Sequence, residues 1–388
     1  MDSESASTLD PLRQTGVALL PNDTLFRPLA FGSRMLRNRI VMAPMTRRRS
    51  PGGVPGPEVA AYYRRRAEGG VGLVVSEGTY IDHPGAGCYE DVPDFFGREA
   101  LAGWREVLRA VHGAGACMIP QLWHVGSYRK RGMKPAPDVP GFGPMALSEN
   151  GVEQVRAISE RDAEEIASSY ARGAATAREL GFDGVAVHGA HGYLADQFFW
   201  AKTNRRDDRF GGALAARCGF AAMIVAAMRA AVGPDFPIVF RFSQWKQDDY
   251  EARIVETPDE LGVLLSALSQ AGVDVFDVST RRFWTPAFEG HDASLAAWTR
   301  KLSGKIVMAV GCVGLDQPHQ SKFYRTRDNV AANVTDVNHV VDAMERGDFD
   351  LVATGRALLA DAQWPEKVRC GDFAAIKPFR HEDMARYA

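Results

Sequence analysis

Residues 159–193 read SERDAEEIASSYARGAATARELGFDGVAVHGAHGY, in the order helix, stop, strand, polar turn. Ser159 three residues ahead of Asp162 has the form of a capping box, which satisfies the backbone donors that a helix start leaves bare. Ala-rich sequence with helical spacing continues to Leu180, and Gly181 supplies a stop. Residues 184–188 (GVAVH) then form a short, nearly continuous apolar run, as a strand buried on both faces of a parallel sheet requires. Directly after it come His188, His191 and Tyr193 among glycines. The stretch therefore predicts a helix feeding a buried strand whose end carries chemistry.

Seven more runs of the same kind lie on either side: 39–43 (RIVMA), 72–76 (GLVVS), 117–122 (CMIPQL), 237–242 (PIVFRF), 275–279 (VFDVS), 305–310 (KIVMAV) and 351–354 (LVAT). Helical patterns fall between most of them. Residues 257–271 have Pro258 in the first turn and Gly272 after the end, and 335–346 is closed by Gly347. Eight strands alternating with helices imply a (β/α)8 barrel, the α/β class. A doubly wound open sheet uses the same units, but no G-x-G-x-x-G follows the first strand. Two connections are long, 125–158 after the third strand and 280–302 after the sixth. The first, rich in Gly and Pro, is expected to cap the barrel mouth, and the second carries Phe283, Trp284 and Phe288.

The chain has 388 residues, 46% hydrophobic and 24% charged, with a net charge of -2. A core that size folds without staples, and the charge balance points to neither nucleic acid nor an anionic membrane as partner. The five cysteines, Cys88, Cys117, Cys218, Cys312 and Cys370, are odd in number and show no C-x-x-C spacing. That argues against a disulfide framework, a zinc ribbon and a cysteine-held iron–sulfur cluster, and suits a reducing compartment. Residues 1–22 read as a flexible extension without the basic start of a signal peptide, leaving 23–388 as one barrel domain. No apolar run is read as reaching transmembrane length, so the expected location is cytoplasmic. Oligomeric state stays open, a homo-oligomer included.

Barrels of this kind carry their sites at the C-terminal ends of the strands. There the sequence places Pro44-Met45-Thr46, Glu77-Gly78-Thr79, Gln121-Leu122-Trp123-His124, the His188/His191/Tyr193 cluster, Arg241, Gly311-Cys312-Val313-Gly314 and Gly355-Arg356. Glycines at the ends of strands seven and eight let backbone N–H groups approach an anion, and Arg356 offers a bidentate cation. The same glycines serve tight turns equally well. Two histidines three apart can ligate a metal with Asp196 or Asp277. They can also donate to a substrate oxygen with Tyr193 as proton donor, or form a structural pair. Arg241, inside an apolar strand, needs a carboxylate or a ligand.

Taken in order, these blocks resemble the Old Yellow Enzyme family of FMN-dependent oxidoreductases. The resemblance rests on 25–28 (LFRP) with 38–47 (NRIVMAPMTR), on 76–79 (SEGT) and 121–124 (QLWH), and on 355–359 (GRALL). It rests most on 181–194 with 196–198 (DQF) and 204–212 (NRRDDRFGG). The resemblance implies non-covalent FMN held by Ala43, Pro44, Met45, Thr46, Gly78, Gln121, His188 and Arg241, with Gly311, Gly355 and Arg356 at the phosphate. It implies NAD(P)H as hydride donor and a small-molecule activated alkene as substrate. His188 and His191 would bind the substrate carbonyl, flanked by Trp123, Phe283 and Trp284. Hydride would come from flavin N5 and a proton from Tyr193, with Thr46 tuning the flavin. Two other readings are a metal-dependent hydrolase or lyase on the same barrel and a non-catalytic FMN-binding protein. Tyr193 speaks against the latter, since flavin storage needs no proton donor.

Overall fold

The computed structural model describes residues 23–318 and 331–387; the extension expected at 1–22 lies outside the described residues. All eight apolar runs become strands: β1 Ile40–Met42, β2 Leu73–Tyr80, β3 Cys117–Trp123, β4 Val185–His188, β5 Ile238–Phe242, β6 Val275–Ser279, β7 Ile306–Val310 and β8 Leu351–Thr354. They pair in parallel throughout and close in the order β5-β6-β7-β8-β1-β2-β3-β4. The fold is the (β/α)8 barrel that the alternation predicts.

The outer ring is α1 Pro57–Glu68, α2 Arg98–Gly113, α3 Glu160–Leu180, α4 Leu214–Val232, α5 Pro258–Ala271, α6 Leu295–Ser303, α7 Asn338–Glu345 and α8 Trp364–Arg369. The α3 start is a complete capping box, Ser159 and Asp162 each accepting from the other's backbone N–H, and Gly181 ends it in the left-handed region. Helix α7 starts three residues later than its sequence pattern, at Asn338, with no side-chain cap. The expectation that no apolar run reaches transmembrane length needs correcting. Helix α4 is 19 residues long with mean hydropathy 1.5, long and apolar enough to cross a membrane. Here its Phe220, Ile224, Val225 and Met228 are buried, and it packs between α3 and α5.

The core has two layers. Inside the barrel, Val41, Ala43, Leu73, Val75, Ile119, Ala186, Val239, Val275, Met308, Leu351 and Ala353 pack together. A hairpin of Leu29–Phe31 and Arg34–Leu36 adds Phe31 and Leu36 and so closes the N-terminal end. The larger layer lies between strands and helices. Each fully buried Leu, Met or Phe contributes roughly 1.5–3 kcal/mol.

Both long connections differ in detail from irregular loops. Residues 125–158 contain a three-stranded sheet, Gly141–Gly143, Val152–Ala157 and Leu147–Glu149. Buried Arg129 secures it by donating to the carbonyls of Val139, Gly87, Met133 and Ala136. The end of the second connection is helix α6, started by the Ser294 hydroxyl accepting from Ala297 N and stopped by left-handed Gly304.

Candidate active site

Strand alternation positions the site. Ile119, Ala186, Val239 and Val275 face the barrel interior. Gln121, His188, Arg241 and Asp277, two residues further along the same strands, therefore face inward at the C-terminal end. All four are buried. Register sets Arg241 beside both His188 and Asp277.

Arg241 Nη1 donates to Asp277 Oδ2 at 2.7 Å and Nη2 to Ser279 Oγ at 3.2 Å. The pair is closed off from solvent, Arg241 at 6% and Asp277 at 1% side-chain exposure. Five buried side-chain polar atoms of these residues and of neighbouring Trp123 have no hydrogen-bond partner: Gln121 Nε2, His188 Nδ1, Arg241 Nε, Asp277 Oδ1 and Trp123 Nε1. Buried polar groups left unpaired carry a real desolvation cost, so a cluster of them marks where a polar ligand belongs. Burial, and secondarily the Arg241 cation, hold the His188 imidazole well below its usual range. His188 is thus a neutral hydrogen-bonding group rather than a cation.

The rim around these residues comes from the neighbouring strands. Ala43 N donates to Thr354 O at 3.1 Å, after which Pro44, Met45 and Thr46 leave the sheet half-buried. Glu77 Oε2 accepts from Arg47 N at 2.8 Å and Arg48 N at 3.2 Å, fastening the segment after Thr46 to β2. Burial pushes this carboxyl up to about 7, against the pull of those two N–H groups. Gly78 is required by packing: a Cβ there would meet the Trp123 ring at 2.6 Å. At the β7 end, Gly311, Cys312 and Gly314 all have positive φ, and a Cβ on Gly311 would meet Thr280 O at 2.6 Å. Arg356 lies beside the Cys312 thiol and donates to Gln317 O. The helix after Gly355, Arg356–Ala360, has only five residues. The orphaned polar atoms, the positive-φ glycine-rich backbone at 311–314 and the adjacent Arg356 guanidinium fit a planar polar ring carrying a phosphate, as FMN does.

The second half of the site is aromatic. Trp123 stacks on His188 at 5.7 Å between ring centroids and meets Tyr193 edge-on at 4.8 Å. His188 lies edge-on to His191 at 5.2 Å and to Tyr193 at 4.9 Å. His191 holds φ at 65°, its backbone N donating to Ser243 Oγ at 3.0 Å and its Nε2 within 2.8 Å of Ser279 Oγ. The three residues of the sequence cluster are thus brought together.

Phe283 and Trp284 are placed differently from the expectation. They pack on each other and on His339 of α7, with Phe283 also against Phe349, on the outer side of the barrel wall. The aromatic ring beside His191 is instead Trp245, with centroids 4.2 Å apart. Trp245 and its neighbour Gln247, whose Nε2 donates to the Tyr193 hydroxyl, are the residues that sequence reasoning missed. The carboxylates considered for a metal are committed elsewhere: Asp277 to Arg241, and Asp196 to Lys246 at 2.9 Å. Among the described residues no group of three His, Cys, Asp or Glu is arranged to hold a metal ion.

Comparison with known proteins agrees with this geometry. The model of the NADH:flavin oxidoreductase / NADH oxidase family matches residues 24–372. The chain is 31% identical to 12-oxophytodienoate reductase 2 of Arabidopsis thaliana, over 88% of this chain and 87% of that protein. It is 31% identical to a chanoclavine-I aldehyde reductase of Penicillium roqueforti (strain FM164), over 80% of this chain and 84% of that protein. Among solved structures, morphinone reductase in complex with tetrahydroNAD aligns with a TM-score of 0.76 at 27% identity, covering 93% of each chain. The chain belongs to the NADH:flavin oxidoreductase / NADH oxidase family, the Old Yellow Enzyme family of the sequence resemblance. It is an NAD(P)H-dependent FMN oxidoreductase.

Proposed function

We propose that this protein is an ene-reductase that uses NAD(P)H to reduce the activated C=C bond of an α,β-unsaturated carbonyl or related small molecule. One observation carries this reading: His188, His191 and Tyr193 converge beside the buried Arg241 and Gln121. FMN, when bound, supplies the hydride relay between nicotinamide and alkene. Gln121, His188 and Arg241 would satisfy its ring, and Gly311, Gly355 and Arg356 its phosphate.

The chain's own residues then do the rest. Hydride addition at the β-carbon drives negative charge onto the substrate carbonyl oxygen. Imidazole donors from His188 and His191, fixed before the reaction, stabilise that charge without reorganising. Because His188 is neutral, it is a donor whose strength grows as charge develops on its partner. Tyr193 supplies a proton to the α-carbon. Trp123, 1% exposed, packs its ring against both His188 and Tyr193 and so limits water on that side of them.

The test is an anaerobic absorption experiment. The flavin bands bleach with NADPH and return when 2-cyclohexenone is added. Tyr193→Phe keeps the bleaching and slows the return. A protein that neither carries nor takes up FMN, or whose bleached flavin ignores enones, enals and nitroalkenes alike, overturns the proposal.

A further inference from the structure

Residues 245–248 follow β5 and lie across the Tyr193 side of the site; the first three side chains each grip one part of the block 188–197, and the fourth holds Tyr128 beside it. Trp245 stacks on His191 and donates from its indole to Ser279 O at 3.1 Å. Lys246, 1% exposed, pairs with Asp196, 0% exposed. Gln247 Nε2 donates to the Tyr193 hydroxyl oxygen. Asp248 accepts from the Tyr128 hydroxyl at 3.1 Å, and the Tyr128 ring lies 5.2 Å from that of Tyr193. Asp196 also accepts from Gly192 N. One buried carboxylate therefore ties together the residues just before Tyr193 and just before Gln247. Breaking such a pair leaves an uncompensated buried charge, so the two segments hold a fixed relation.

We infer that, with Tyr193 as the proton donor proposed above, Gln247 is the positioning residue for that proton transfer. An amide N–H donating to the phenol oxygen uses one of its lone pairs and does not compete for the phenolic hydrogen. In the step itself the Tyr193 O–H bond breaks, and the enolate electron pair forms the Cα–H bond. The phenolate left behind regains a proton from water. As negative charge appears on the phenol oxygen, the Gln247 N–H bond becomes charge-assisted, and such bonds are roughly twice as strong as neutral ones. Gln247 thus holds the product of proton transfer more tightly than the reactant, which lowers the barrier.

Four full-length holoproteins test this: wild type, Gln247→Leu, Tyr193→Phe and the double variant, by anaerobic stopped flow in H2O and D2O. Flavin reduction by NADPH, which takes no proton from Tyr193, keeps its rate in Gln247→Leu. Reoxidation by 2-cyclohexenone slows about tenfold, a fraction of what general acids contribute, and its solvent isotope effect rises. In the Tyr193→Phe background, Gln247→Leu adds nothing, because residues acting through one another are not additive. Wild-type reoxidation in Gln247→Leu, or a full further slowing in the double variant, overturns the inference. Wild-type reoxidation in Tyr193→Phe removes Tyr193 as donor, a separate failure. Should Gln247→Leu lose its flavin, Gln247→Asn, which draws the amide back by one methylene, carries the same comparison.

Discussion

The imidazole of His191 lies nearly flat against the indole of Trp245, with ring centroids 4.2 Å apart and planes inclined by 27°. Its Nε2 meets Ser279 Oγ, and its backbone sits in the left-handed region that side chains other than glycine rarely adopt. An unusual backbone state persists only when its surroundings over-determine it. Here a stacking face, a hydroxyl and the Ser243 bond to its N–H do so together. His191 is therefore set in place before substrate arrives.

Trp245→Ala removes the stacking face. Aromatic pairs contribute about 0.5–1.5 kcal/mol beyond their buried area, which corresponds to roughly 2–10-fold in affinity. The enone KM is expected to rise by that factor while flavin reduction by NADPH is unchanged, and Trp245→Phe should recover most of the loss. Steady-state kinetics in 2-cyclohexenone check it. An unchanged KM would show that Ser279 and Ser243 suffice.

His188 gives a pH prediction. Burial and Arg241 lower its pKa well below the usual imidazole value, so it stays neutral through ordinary assay conditions. The rate of reoxidation by enone should show no limb near the ordinary imidazole value of about 6.5 that His188→Ala abolishes. His188→Ala itself should slow that step by roughly 10²–10³-fold per bound flavin, as loss of one oxyanion donor does.

The barrel was legible because parallel strands buried on both faces leave unbroken apolar runs; 275–279 and 351–354 coincide with β6 and β8 to the residue. The polar extension of β2 through Tyr80 was not legible, because a register shift between Val75 and Gly78 breaks the alternation. The cap sheet was hidden for another reason. Its Leu147–Glu149 strand is exposed throughout, so no buried face patterns it. Helix α6 had signals in Ser294 and Gly304 that the neighbouring aromatics overshadowed. At the site, Gln121, His188 and Arg241 stood out as polar residues ending apolar strands. Trp245 and Gln247 sit in a loop, and their places depend on an ion pair between residues fifty positions apart, Lys246 and Asp196. Tertiary contacts of that kind leave no local pattern.

Glu77 links stability to pH. Its folded carboxyl titrates at about 7, above an ordinary glutamate near 4.3. The folded state therefore keeps a proton that the unfolded chain has already released. The resulting stability is fully present below about pH 4 and is lost as pH rises toward 7, at about 1.4 kcal/mol per unit. Glu77→Gln keeps an acceptor for Arg47 N and Arg48 N and has no charge to bury. It should melt higher than wild type at about pH 8 and converge with it toward about pH 4. Thermal unfolding across that range decides, and parallel curves would remove the assignment.

Arg241 separates cofactor binding from stability. Its partner Asp277 is 1% exposed, so Arg241→Met strands a buried carboxylate and should cost about 3–5 kcal/mol. Adding Asp277→Asn removes that charge, and most of the lost stability should return. The cation at the flavin edge does not return with it. Hydrogen bonds to charged groups contribute about 1.5–3 kcal/mol, so the double variant should bind FMN roughly 10–150-fold more weakly than wild type. Its flavin midpoint potential should fall, since no positive charge remains to favour the anionic reduced ring. Thermal melts, FMN titration and potentiometry on the two variants check all three. If the double variant regained stability, FMN affinity and potential together, Arg241 would serve only to neutralise Asp277, and the flavin edge would have to be assigned to another residue.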